Sequence, residues 1–208
     1  MILAPGTDEN VVGYDARETW MAFDAAWPER RKLGYLYRGG LVKPLSVDAT
    51  VWPSIFASEN IPAPRHVGFQ TSWANLHDLQ QALTRVAAKQ DIKPFRLIAI
   101  GIEFESYSEA AIVPWAQRVP PVDPPRRSPE WKLLGYDVAD EWMLSALSNC
   151  GFTLDEDVNA LRREWGPKLN QFHLFSDLEA ANGFKRMSNK RLENDHAPCF
   201  VYGLWAIH

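Results

Sequence analysis

An α+β fold is expected for this 208-residue chain, built as two similar helix/strand halves that share one core. Three observations lead there. Helix-type and strand-type apolar patterns alternate in both halves of the chain. A proline-rich stretch separates the halves. A phrase also recurs: "VVGYDARETWM" (Val11 to Met21) and "LLGYDVADEWM" (Leu133 to Met143) align without a gap.

The chain opens with a polar turn, Gly6 to Asn10, and a short amphipathic segment, Arg17 to Ala26. "KLGYLYRGGLV" (Lys32 to Val42) reads as a hairpin or strand–turn, because Gly39-Gly40 interrupts an aromatic-aliphatic run. Asp48 to Ile61 reads as a helix, with Asp48 as N-cap and Pro53 near its first turn. "RHVGFQTSW" (Arg65 to Trp73) reads as a strand. In the following segment Leu76, Leu79, Leu83 and Val86 fall at helical spacing, and Asn75 suits the N-cap. "PFRLIAIGIEFE" (Pro94 to Glu105) is nearly continuously apolar, as in a strand buried at the centre of a sheet.

Prolines 114, 120, 121, 124, 125 and 129 then mark residues 114–129 as an extended connector, since proline removes backbone donors. Beyond it, "GYDVADEWMLSALSNCGF" (Gly135 to Phe152) has helical character, with Trp142, Leu144 and Leu147 clustered. "LDEDVNALRREWG" (Leu154 to Gly166) reads as a helix with acids in its first turn and Arg162-Arg163 near its end, as the helix dipole favours. "LNQFHLF" (Leu169 to Phe175) is a short strand or a turn. The next helix opens on Ser176, with Glu179 three residues on as a capping box. "PCFVYGLWAI" (Pro198 to Ile207) is the closing strand.

Two registers describe the recurrence. Leu33-Gly34-Tyr35 matches Leu134-Gly135-Tyr136 at an offset of 101 (134 − 33), and Gly101 matches Gly203 at 102 (203 − 101). Asp78-Leu79 and Asp177-Leu178, which both open helices, stand 99 apart (177 − 78). The Tyr14 phrase gives 122 instead (136 − 14). The register near 101 agrees with the downstream elements. It divides a single domain, 1–208, into halves 31–105 and 131–208 joined by the connector 114–129, and leaves 1–30 as an extension. Halves under 100 residues are marginal alone, so a shared core, with pseudo-twofold symmetry as an option, is expected.

Composition narrows the function. The net charge of −4 disfavours a general nucleic-acid binder, which carries a basic excess, and suits a basic protein partner or plain solubility. Cys150 and Cys199 are too few for a disulfide framework, and a reduced cytoplasmic setting is expected. The N-terminus lacks the pattern of a signal peptide, and no apolar run approaches the ~20 residues of a membrane span.

One set of residues points to catalysis. Arg38 stands at a strand end, Ser72 closes another strand before a helix, and Glu103-x-Glu105 ends a third. This order resembles the Arg–Ser–Glu class of ADP-ribosyltransferases. The resemblance covers roughly residues 35–105 and implies NAD as cosubstrate. It gives Arg38 the dinucleotide phosphates and has Ser72 order the pocket. Of Glu103 and Glu105, the second contacts the ribose and stabilises an oxocarbenium-like transition state. The chain departs from the pattern: Gln70-Thr71-Ser72 stands where the family has Ser-Thr-Ser, and the spacing leaves little room for a target-recognition loop. The plainer reading makes Arg38 a turn residue and the two Glu exposed strand-end groups.

Other chemistry is thinner. Asp195-His196 and Cys199 offer mixed metal ligands, but no second cluster completes a set, so no metal and no cofactor is expected. Both cysteines sit among residues typical of buried positions, and no phosphate-binding glycine loop is present.

The second half, from "LGYDVADEWMLSALSNCG" through "HAPCFVYGLWAI", is similar to uncharacterised bacterial proteins of the toxin-immunity type. That resemblance implies a non-catalytic cytosolic protein that occludes a toxin, and it transfers no functional residues. The chain's own candidates for a partner surface are acids beside aromatic anchors: Asp137, Asp140 and Glu141 next to Trp142, and the acids after Phe152. A structural or ligand-binding domain stands beside these two readings.

Overall fold

The computed structural model of the protein describes residues 10–18, 55, 65–67, 70–73, 75–92, 94–103, 127–140, 143–147, 158–191 and 198–208. Its centre is a four-stranded antiparallel sheet of β1 (Asn10–Glu18), β4 (Phe95–Ile102), β5 (Lys132–Ala139) and β6 (Phe200–Ile207), in the order β1-β4-β6-β5. A two-stranded ribbon pairs β2 (Arg65–Val67) with β3 (Gln70–Ser72). The described helices are α1 (Leu76–Ala87), α2 (Val158–Trp165), continued by a 3-10 turn at Gly166–Lys168, and α3 (Leu178–Arg191). The α+β class is the one expected.

Strands β4 and β6 take the two central places because they bury both faces. Ile98, Ala99, Ile100 and Ile102 of β4, and Val201 of β6, are fully buried. Such strands read as continuous apolar runs. They pair with Gly101 opposite Gly203 and Ile100 opposite Leu204.

Helices α1 and α3 cover one face. Asn75 caps α1, its side-chain oxygen accepting from the His77 N–H at 2.8 Å. Leu79, Ala82, Leu83 and Val86 form its buried stripe and pack on Tyr14, Ala16, Ala99 and Trp205. Each large aliphatic residue buried there contributes about 1.5–3 kcal/mol. The stripe of α3 is Ala181, Phe184, Lys185 and Ser188. Phe184 joins Trp165 of α2 and Phe175 in an aromatic cluster with centroids 5.2–6.2 Å apart, over Tyr136, Val138 and Val201.

The outer strands resemble one another in detail. In β1 the register with β4 shifts between Val11 and Gly13; in β5 the register with β6 shifts between Leu133 and Gly135. Each irregularity therefore ends on the glycine of a Gly-Tyr-Asp triplet. Each tyrosine then makes an isolated antiparallel bridge on the outer edge, Tyr14 to Trp73 and Tyr136 to Phe175, with paired N–H···O bonds of 2.7–2.9 Å. These bridges cover part of both sheet edges, which otherwise invite pairing with another chain. The bridging residue leads into a helix in both cases. Trp73 and Phe175 stand 102 apart (175 − 73), as do the helix starts Leu76 and Leu178 (178 − 76) and the four buried positions of the two stripes, Leu79/Ala181 through Val86/Ser188.

Several expectations change. Residues 10–18 are an edge strand of the main sheet, not part of an extension, because Tyr14 and Ala16 have a hydrophobic seat under α1. Arg65 to Trp73 is a paired ribbon followed by a bridge residue rather than one strand. The segment from Gly135 is strand β5, not helix. Tyr136 and Val138 alternate with Asp137 and Ala139 across the sheet, and Gly135 has φ +144°, a conformation glycine alone adopts freely. The cap of α3 is Asp177, whose Oδ1 accepts from the Ala180 N–H at 2.7 Å, in place of Ser176. Asp177 thus holds the place of Asn75, not that of Asp78. The segments at 32–42 and 114–126, and all of 48–61 except the buried Ile55, lie outside the described residues.

Candidate functional site

Side chains alternate across a strand, so the tyrosine that faces the helices forces its neighbour the other way. Tyr14 and Ala16 lie under α1, which turns Asp15 and Arg17 to the opposite face. Tyr136 and Val138 lie under α2 and α3, which turns Asp137 there too. The middle of that face is apolar, with Ile98, Ile100 and Ile102 of β4 and Tyr202, Leu204 and Ala206 of β6, while Arg96 of β4 stands opposite Arg17. Asp15 pairs with Ile98 and Asp137 with Tyr202 across the sheet. The two aspartates of the repeated triplet are therefore buried in an aliphatic setting, at 3% and 5% exposure.

Charges in such a place need partners. Arg17 Nε lies 2.7 Å from Asp15 Oδ2, with both side chains buried. The contact is close but not aligned as a hydrogen bond, so it acts as an ion pair. Asp15 Oδ1 also accepts from the Ala16 N–H at 2.7 Å. Burial nonetheless pushes the Asp15 carboxyl up to about 6, against the opposing pull of Arg17 and the amide. Asp137 Oδ1 accepts from Ser145 Oγ at 2.7 Å. Burial raises this carboxyl further, to about 7, although the Ser145 and Val138 hydrogen bonds and the charge of Arg17 all favour its ionised form. The guanidinium of Arg17 therefore acts on both carboxylates.

Asp137 is also fastened to the turn that follows β5. Asp140 Oδ1 accepts from the Leu144 N–H at 2.9 Å. The Asp140 N–H donates to Leu144 O, and the Met143 N–H donates to Asp140 O. The Ala146 N–H reaches back to Val138 O at 2.7 Å, and Tyr202 Oη donates to Asp140 O at 3.3 Å. Within this frame Met143 is held at φ 58°, a left-handed conformation that costs a non-glycine residue about 1–3 kcal/mol. Such a residue persists only where its surroundings over-determine it.

The residues singled out from the sequence fall as follows. Asp137 and Asp140 are buried, Asp140 at 2% exposure, so neither carboxylate forms part of an open acidic rim. Asp137 is buried because β5 is a strand that turns it onto the apolar face, and Asp140 because the turn after β5 folds over it with Tyr202 bonded to its carbonyl. Glu141, Trp142 and Phe152 lie outside the described residues. Of the set resembling ADP-ribosyltransferases, Arg38 and Glu105 lie outside the described residues as well. Ser72 ends β3, paired with Arg65, and Glu103 is half-buried just past β4, its N–H donating to Val201 O at 3.3 Å. Cys199 is buried, its backbone held at both ends by Asn189. The groups not singled out were Asp15, Arg17 and Ser145. The duplicated Gly-Tyr-Asp was the available signal for the first.

Among the described residues no group of three His, Cys, Asp or Glu is placed to hold a metal ion, and no helix is long and apolar enough to cross a membrane. Comparison with family models, with curated proteins and with solved structures finds no match.

Proposed function

We propose that the chain is a non-catalytic binding protein whose ligand is another protein, in the manner of toxin-immunity proteins, and that the segment after β5 carries the contact. The observation behind this reading is the turn itself. Five hydrogen bonds with Asp137, Val138 and Asp140 hold residues 143–147 around a strained Met143, and Tyr202 Oη fixes Asp140 O in turn. Backbone strain held in place by its surroundings concentrates at functional segments. A segment ordered before it meets its partner also loses less entropy on binding. Glu141 and Trp142, an acid beside an aromatic anchor, lie in that stretch of sequence.

We also read the chain as two copies of one unit, an edge strand, a bridging aromatic, a helix and a central strand. The shared features of β1 and β5, the two bridges and the constant offset of 102 from the bridge to the last buried position of the helix, Val86 and Ser188, support this. The competing sequence offsets of 122 and 102 then differ by a 20-residue difference in the connection before the bridge (122 − 102).

The binding reading is tested with the polypeptide encoded beside this chain. Mixed at micromolar concentration, the two should elute as one complex of defined stoichiometry. Trp142→Ala should weaken that complex at least ~10-fold, the loss of one anchor residue. No complex, or a complex indifferent to Trp142, would remove this surface.

A further inference from the structure

A buried carboxylate whose hydrogen-bond donor sits on a separate turn ties protonation to the position of that turn. We propose that Asp137 and Ser145 form a proton-operated latch, closed while Asp137 is neutral and loosened when it ionises, that sets how firmly residues 143–147 are held on β5. The proposal goes beyond the binding reading and does not depend on it, because the latch can be followed with no partner present.

The geometry supplies each part. Asp137 is on β5 and its donor, Ser145 Oγ, is 2.7 Å away on the turn. With the turn closed, water is excluded: Asp137, Asp140 and Ser145 are all buried. With the turn lifted, the carboxylate is hydrated and recovers its ordinary acidity. The described ionisable groups around Asp137 are Asp140 beyond it on the chain, Tyr202 opposite it on β6, and, on the same face of the sheet, Asp15 and Arg17 of β1 and Arg96 of β4, which stacks on Phe172. Arg17 has its Nε 2.7 Å from Asp15, and its charge is the smallest of the influences on Asp137, too small to outweigh burial. The closed carboxyl titrates about 7 and a hydrated one near 3.8. Ionisation therefore favours the lifted turn, and the bias grows as pH rises between those two values.

Amide hydrogen exchange measures this opening site by site. The reporters are the amides of Leu144 and Ala146, which bond to Asp140 Oδ1 and Val138 O. After correction for intrinsic exchange, their protection should fall at least ~10-fold from pH 5 to pH 8, while the amides of α1 hold theirs. Asp137→Asn keeps the shape and an acceptor for Ser145 but cannot ionise, so its two reporters should show no pH dependence. Ser145→Ala is the second variant. It removes a donor that favours the ionised form, so the pH midpoint of opening should move upward. Reporter protection independent of pH in the wild type would overturn the latch. So would a pH dependence that survives Asp137→Asn, or a midpoint unmoved by Ser145→Ala.

Discussion

Substituting alanine at two glycines separates backbone strain from mere space. Gly135 sits at the register shift of β5 with φ +144°. A Cβ placed there would meet Leu174 Cβ at 2.6 Å, Asn170 Nδ2 at 2.8 Å and Phe175 O at 2.9 Å. None of these can retreat cheaply. Leu174 is fully buried, Phe175 O accepts the Tyr136 N–H of the edge bridge, and Asn170 Nδ2 donates to Leu134 O. Forcing alanine into that backbone region costs about 1–3 kcal/mol, and overpacking a filled core adds about 1–3 kcal/mol. Gly135→Ala should therefore lose about 2–6 kcal/mol in urea-induced unfolding followed by tryptophan fluorescence, a large part of a typical domain's stability. Gly183, inside α3, is the control. Its added Cβ would make only ordinary contacts, the nearest at 3.5 Å to the Trp165 ring. Alanine in a helix interior is favoured over glycine by about 0.8–1 kcal/mol, so Gly183→Ala should be neutral to mildly stabilising. A Gly135→Ala protein within about 1 kcal/mol of wild type would show that the turn at Asn170–Phe175 is not packed on β5 as described, and the reasoning would fail.

Stability should depend on pH through Asp137. Its carboxyl is raised from 3.8 to about 7 on folding, so the contribution is fully present below pH 4 and is lost as pH climbs to 7. In urea titrations the stability of Asp137→Asn relative to wild type should rise across that window by up to the order of 4 kcal/mol and level off above it; a flat difference would contradict the burial. Arg17→Met should strip Asp15 of its buried counter-charge and destabilise by about 3–5 kcal/mol at pH 8, with a smaller loss at pH 5, where Asp15, raised to about 6, is mostly neutral. Nicotinamide release from NAD should be no greater for the wild type than for Glu105→Gln, and genuine turnover lost in that variant would promote the transferase reading over the binding one.

What could be read from the order of residues was whatever local periodicity encodes. The stripe of Leu79, Leu83 and Val86 and the cap at Asn75 specify α1 through neighbours three and four positions away. The unbroken apolar run of β4 announced a strand buried on both faces, and it is central; β6, legible only as a closing strand, is its central partner. Strand β5 was hidden, because Trp142, Leu144 and Leu147 downstream mimic a helical stripe, while Asp137 looks like an exposed acid. Nothing near Asp137 in the chain shows that Ser145 will return to meet it, or that Tyr136 will be claimed by Phe175, 39 residues on (175 − 136). The place of residues 10–18 was equally non-local, since an edge strand is defined by the partner it bonds and β4 lies far along the chain. Periodicity reports which face a residue shares with its neighbours. Pairing across distant segments decides which face is buried, and for Asp15 and Asp137 that burial makes their carboxyls titrate near neutrality rather than as ordinary surface acids.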